Sequence, residues 1–237
     1  EPSITDETWH AWEDGYVELN KMFADAIADE VNKTKRPVIV LPQDYHLYMV
    51  PYYLREGIKD HSHVQIQPFV HIPWPGPDAW RILPPKIRTP LLNSLLQSDR
   101  IGFQTQKDAF NFVQTCRFYL PKAHSRGARD SIEVEGRKVS ARPYPISIDV
   151  EKIEEMTEEP QLHLLKSQFF NFVGDRKLIL RVDRTEPSKN ILRGLKAYRV
   201  LLEKYPEHRG TTQMFALLVP SRLEVEEYQD YLANIMA

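Results

Sequence analysis

Apolar positions open the chain with a helical rhythm. Trp9, Trp12, Tyr16, Leu19, Phe23, Ile27 and Val31 recur at steps of three or four, the spacing that lines one buried face of a long amphipathic helix. Asp6 stands where its N-cap belongs. After Lys35-Arg36 the pattern changes to short apolar runs alternating with helical stretches. Val38–Leu41 predicts a strand and Leu47–Ile58 a helix. His63–Val70 predicts a second strand, followed by a Pro-rich turn and helical pieces over Asp78–Leu83 and Ile87–Gln97. Ile101–Phe103 and Lys107–Leu120 repeat strand and helix. Ile132–Val134 and Val139–Tyr144 flank Glu135-Gly136 and read as a β-ribbon. An acidic helical connector over Glu151–Gln161 follows. The alternation then resumes with a strand at Lys177–Val182, a helix over Asn190–Tyr205, a strand at Gln213–Val219 and a last helix from Leu223.

Buried strands separated by single helices imply parallel βαβ units, hence an α/β fold. The ribbon and the acidic connector split these units into an earlier and a later group. The expected organisation is therefore two Rossmann-like domains with parallel sheets, over residues 1–150 and 151–237.

Composition narrows the function classes. The 237 residues are 42% hydrophobic, 27% charged and 11% aromatic, as in ordinary globular proteins. Lys+Arg 31 against Asp+Glu 33 gives a formal charge of -2. Nucleic acid and anionic membranes call for a strong positive field, so neither is an expected partner. No apolar run approaches the roughly 18–20 residues of a membrane span, and Glu-Pro-Ser-Ile at the start lacks a secretory pattern. The single cysteine, Cys116, leaves no disulfide framework or Cys-rich metal site, so the expected location is the cytoplasm.

Ligands of open parallel sheets bind beyond the carboxyl ends of the strands. Gln43-Asp44-Tyr45-His46 follows the first strand, and His71 follows the second. Asp183-Arg184-Thr-Glu-Pro-Ser-Lys189 follows the strand at 177–182, and Pro220-Ser221-Arg222 the last one. A carboxylate, an imidazole and three cations suit a ligand with several negative charges and hydroxyls. Arg184 and Lys189 flank a helix N-terminus, where backbone N–H groups attract phosphate. Taken singly, each has a plainer reading: Asp44 as a helix cap, His71 as a packing residue among prolines, the cations as surface charges. His61-Ser-His63 has metal-like spacing but precedes a strand, away from the ligand edge. Arg126, Arg129, Arg137, Lys138 and Arg142 read as a solvated basic ribbon. HExxH, GxSxG, P-loop, GxGxxG and Asp-x-Asp patterns are all missing, against a zinc protease, α/β-hydrolase, P-loop NTPase, Rossmann dehydrogenase or metal–diphosphate site.

The segments Val40-Leu-Pro-Gln-Asp44-Tyr-His-Leu47, Phe69-Val-His71-Ile-Pro-Trp-Pro75, Ile101-Gly-Phe-Gln-Thr105, Tyr144-Pro-Ile-Ser-Ile-Asp149, Arg184-Thr-Glu-Pro-Ser-Lys189 and Pro220-Ser-Arg222 together resemble the trehalose-6-phosphate synthase family of retaining glycosyltransferases. The resemblance implies a GT-B architecture and transfer of glucose from a nucleotide-glucose donor to glucose 6-phosphate. It implies that Asp44 binds acceptor hydroxyls and His71 lies by the donor sugar. Arg184 and Lys189 would hold the donor diphosphate, making Asp44, His71, Arg184 and Lys189 the catalytic set. Arg222 would hold the acceptor phosphate, and Trp12 matches an acceptor-lining tryptophan, one residue farther from Tyr16 than the family spacing. No cofactor or metal is implied; the nucleotide sugar is a substrate. A homo-oligomer is compatible with the family.

The family's Gly-rich opening and its later acidic donor segment have no counterpart here. The chain therefore reads as the later part of an acceptor domain joined to the beginning of a donor domain, inactive by itself. Trp80-Arg-Ile-Leu-Pro84 after Ile-Pro-Trp-Pro also resembles glucosylglycerol-phosphate synthases and pseudo-glycosyltransferases, which use other substrates. A non-catalytic regulatory member is the reading from a different class.

Overall fold

The opening helical rhythm resolves into three segments in line: α1 (Asp6–His10), a π-helical turn (Ala11–Val17) and α2 (Glu18–Asn32). The computed structural model describes residues 3–125 and 129–237. Thr5, not Asp6, is the N-cap: its hydroxyl accepts from Thr8 N–H at 3.3 Å, and Thr8 returns a bond to Thr5 N–H at 3.2 Å. This reciprocal pair satisfies two of the free donors of the first turn, and Asp6 adds favourable charge there. The π-turn takes up more residues than an α-turn, so it changes the phase of the stripe. Trp12 and Tyr16 pack against the core, and α2 then buries Asn20, Ala24, Ala28 and Val31. Leu19 and Phe23, expected on the buried face, are instead 50% and 47% exposed.

The chain forms two compact units, Glu1–Ser147 and Ile148–Ala237. In the first, β1 (Val38–Val40) pairs in parallel with β2 (Val64–Ile66), and β3 (Phe69–Val70) with β4 (Arg100–Phe103). The sequence reads residues 63–70 as one strand; Pro68, which has no N–H to donate, divides it. Pairing nevertheless continues past the break through a parallel bridge between Gln43 and Phe69. Between these strands run α3 (Val50–Gly57), α4 (Pro85–Leu95) and, after β4, α5 (Gln106–Tyr119).

Three further strands, β5 (Ala123–His124), β6 (Ser131–Val134) and β7 (Arg137–Pro143), complete this sheet in the order β3-β4-β7-β6-β5. The β6–β7 ribbon turns at Glu135-Gly136, both with positive φ, 48° and 80°, as a two-residue hairpin requires. The ribbon is part of the first unit's sheet, because β7 pairs in parallel with β4 and buries Val139 and Ala141. Its basic residues are not simply solvated. Arg137 donates to the Gln97 side chain and carbonyl, and Arg142 pairs with Asp130 at 2.5 Å. Arg126 lies outside the described residues. The core gathers Val70, Trp74, Leu92, Leu95, Phe103 and Phe112 between sheet and helices.

In the second unit the acidic connector is α6 (Val150–Thr157), followed by α7 (Pro160–Val173). Sequence reading missed α7, whose Leu162, Leu164, Leu165, Phe169, Phe170 and Phe172 crowd several faces and leave no single stripe. Phe169 packs edge-on against Phe215 with centroids 5.0 Å apart. β8 (Lys177–Arg184) and β9 (Thr212–Val219) pair in parallel from Lys177 with Thr212 to Arg184 with Val219. α8 (Ile191–Lys204) connects them, and α9 (Glu226–Met236) follows. The result is one βαβ unit with its helix N-terminus at the sheet's carboxyl edge.

Candidate functional site

In the first unit, β1 and β3 carry Asp44 and His71 to neighbouring strand ends. Asp44 N–H donates to Phe69 O at 2.7 Å, and its carboxylate Oδ1 accepts from the backbone N–H of His71 at 3.1 Å. It stands at the N-cap of a short turn (Tyr45–Leu47), yet its side chain caps nothing there. The plain capping interpretation therefore fails. Its backbone is at φ 62° and ψ −174°, a region that costs a residue with a side chain about 1–3 kcal/mol and collects at functional sites.

His71 is oriented by Gln43, with Nε2 2.9 Å from Gln43 Oε1. Gln43 gives its amide N–H to Leu41 O at 2.9 Å, so its oxygen is the acceptor and His71 Nε2 carries the proton. An open cavity of about 310 Å³ adjoins the pair, lined at the strand ends by residues that include Gln43, Phe69, His71, Gln104 and Tyr144.

Two residues hold this loop: Asn20, which sequence reading passed over, and Tyr16, which it placed on the buried helix face without a polar role. Buried Asn20 donates to His46 O and Tyr16 O, both at 2.9 Å, and accepts from Met49 N–H at 3.0 Å. Tyr16 donates its hydroxyl to Tyr45 O at 2.6 Å and accepts from Tyr48 N–H at 3.1 Å. Burial holds its phenol well above the ordinary tyrosine range. The sequence signal for Asn20 was its four-residue step from Tyr16, one polar position on an otherwise apolar face.

Trp12 stacks on Tyr16 with centroids 5.2 Å apart. It lines a separate aromatic cavity of about 420 Å³ with Tyr45, Tyr48, Ile72, Trp74 and Trp80. Tyr45 and Ile72 are the neighbours of Asp44 and His71, so this cavity adjoins the carboxylate–imidazole pair without containing it. Both residues lie in the π-helical turn, and both rings pack against the core.

In the second unit, Arg184 ends β8 and Thr185 fastens that end to β9: its N–H and hydroxyl both donate to Val219 O, at 2.8 and 3.1 Å. The Arg184 guanidinium is 61% exposed and lies 2.9 Å from the nearly buried carboxylate of Glu186. Lys189 ends a short turn (Pro187–Lys189) with an exposed side chain, and its carbonyl accepts from the Arg181 guanidinium. That guanidinium lies against Gly194 of α8, where a Cβ would collide with it. Asn190 then takes a left-handed conformation, φ 55°, and α8 begins with no side-chain cap. Its first amide donates to the Tyr231 hydroxyl at 2.7 Å. Arg222 has φ 48°, and its guanidinium faces the Tyr228 ring at 5.6 Å.

Arg184, Lys189 and Arg222 thus occupy one edge of the second unit's sheet, while Asp44 and His71 pair at the strand ends of the first. Cations beside a helix start whose N-cap side chain makes no bond to it form a setting that favours phosphate. Among the described residues, no three His, Cys, Asp or Glu side chains are grouped to hold a metal. His63 instead faces Asp60 at 3.7 Å. No described helix is long and apolar enough to cross a membrane.

A family model described as Glycosyltransferase family 20 matches residues 1–237. An Aspergillus niger protein named alpha,alpha-trehalose-phosphate synthase [UDP-forming] 2 is 35% identical over 95% of this chain and 45% of its own length. A Candida albicans alpha,alpha-trehalose-phosphate synthase [UDP-forming] is 32% identical over 99% of this chain and 47% of its own. A solved E. coli trehalose-6-phosphate structure bound with UDP-2-fluoro glucose superposes with a TM-score of 0.75 at 28% identity, covering 99% of this chain and 49% of that one. The N-terminal domain of a Candida albicans trehalose-6-phosphate phosphatase gives 0.74 at 26% identity, over 100% of this chain and 48% of that one. The chain thus spans about half the length of the relatives it matches.

Proposed function

The chain belongs to glycosyltransferase family 20, and on that premise we propose that the complete protein transfers glucose from UDP-glucose to glucose 6-phosphate, with retention, to give trehalose 6-phosphate. The observation that carries this reading is the cation arrangement at the end of β8: Arg184, four residues, Lys189, then the N-terminus of α8. Breaking a glycosyl–phosphate bond builds negative charge on the departing diphosphate. Cations fixed where that charge appears lower the barrier, by about 3–4 kcal/mol for one well-placed donor. The Arg184 fork suits two phosphate oxygens and Lys189 acts as a point charge. Arg222 takes the acceptor phosphate, Asp44 receives acceptor hydroxyls, and His71 attends the donor sugar. The aromatic cavity at Trp12 supplies an apolar wall beside the acceptor. The names of the sequence relatives, UDP-forming trehalose-phosphate synthases, support both the donor and the product. We place the reaction in the cytoplasm, in keeping with a sequence whose single cysteine, Cys116, allows no disulfide within the chain.

The test is product formation by the complete protein from UDP-glucose with glucose 6-phosphate, run beside glycerol 3-phosphate. Trehalose 6-phosphate is the expected product. Product from glycerol 3-phosphate alone would move the assignment to a different acceptor, and no transfer at all would reject the enzymatic reading.

A further inference from the structure

Glu186 sits within the Arg184–Lys189 motif but has the opposite charge and is only 8% exposed. Burying a carboxylate is costly unless partners compensate it. Its partners come from the end of β8 and the turns after β8 and β9. Oε1 lies 2.9 Å from Arg184 Nη1 and 3.4 Å from the Ser221 hydroxyl, and Oε2 lies 3.4 Å from the Ser188 hydroxyl. Arg184 ends β8 and Ser188 belongs to the turn that follows it. Ser221 belongs to the turn after β9 and directly precedes Arg222. One carboxylate therefore touches both cation-bearing turns, on the inner side of a guanidinium whose outer side faces solvent.

We propose that Glu186 is a positioning residue that orients the Arg184 guanidinium and ties the Ser221-Arg222 turn to it. The proposal rests on Arg184 as a donor-phosphate ligand. An exposed arginine on a flexible stem gives little orientation by itself, whereas one held from behind keeps its free N–H groups aimed outward. Such pre-orientation is felt mainly in the transition state, where a misplacement of about 1 Å costs on the order of a hundredfold in rate. A carboxylate present only to reduce local charge would instead weaken diphosphate binding, and its removal would tighten donor binding without slowing turnover.

Four complete proteins separate these cases: wild type, Glu186→Gln, Arg184→Ala and the double variant, each measured for kcat, donor KM, acceptor KM and thermal midpoint. The expected result is that Glu186→Gln lowers kcat by about tenfold or more, with donor KM within about threefold and the midpoint nearly unchanged. In the Arg184→Ala background the same change costs less than about threefold, because its target is already gone. An unchanged kcat in Glu186→Gln, or losses that multiply in full in the double variant, overturns the positioning role. Should Glu186→Gln not fold, Glu186→Asp, which keeps the charge but shortens its reach, carries the same comparison. Arg184→Ala with unaltered turnover would instead overturn the donor-site reading itself.

Discussion

Asp44 sits at φ 62° and ψ −174°, held there by the Phe69 carbonyl and by its own bond to His71 N–H. Glycine tolerates that backbone and alanine does not. Asp44→Gly is therefore expected to be more stable than Asp44→Ala by about 1–3 kcal/mol in denaturant unfolding. Both should lack transferase activity in the complete protein. Equal stabilities would mean the backbone relaxes freely and the strain is not enforced by its neighbours. Strand-end position was enough to single out Asp44, His71, Arg184, Lys189 and Arg222 in the sequence. What stayed hidden were the residues that hold them. Gln43 stood in plain view beside Asp44, but only the fold shows that its amide fixes the His71 tautomer. Glu186 was hidden by its company, since a carboxylate between two cations looks like charge balance until its burial is known.

Elements were legible where periodicity was clean and local. α3, α5, α8 and the β6–β7 ribbon fall where hydrophobic spacing and turn residues place them. The long opening helix was legible as a helix but not in its phase, because a π-turn at Ala11–Val17 redirects the buried face. α7 was missed because its apolar residues surround the helix. The docking of β7 on β4 was also unreadable, since pairing between strands distant in sequence leaves no local period. The strap from α2 to the Asp44 loop depends on one side chain. Asn20→Ala removes the partners of His46 O and Met49 N–H at a fully buried position, so a loss of about 2–3 kcal/mol is expected in unfolding. Asn20→Asp keeps the acceptor for Met49 N–H but loses the donor to His46 O, and should also destabilise, with an added cost for burying charge. A loss below about 0.5 kcal/mol for Asn20→Ala, the usual size for an exposed position, would show that the loop is held without Asn20, by Tyr16 and its own backbone.

Across the whole molecule, chemistry-bearing side chains collect at strand carboxyl ends in both units, while apolar side chains remain uncovered elsewhere. Met22 and Ile39 in the first unit and Leu180, Val182, Leu217 and Val219 in the second are exposed. Relatives roughly twice as long share the family. Activity is therefore a property to be measured on the complete protein. The central claim is that Arg184 and Lys189 form a diphosphate site at the end of β8, and calorimetric titration of the complete protein with UDP tests it most directly. Saturable binding by the wild type is expected, weakened by about tenfold or more in Arg184→Ala and in Lys189→Ala, as when a charge-assisted phosphate contact of about 1.5–3 kcal/mol is lost, with thermal midpoints nearly unchanged. Wild-type affinity retained in both variants, or affinity lost only in step with the fold, would contradict it.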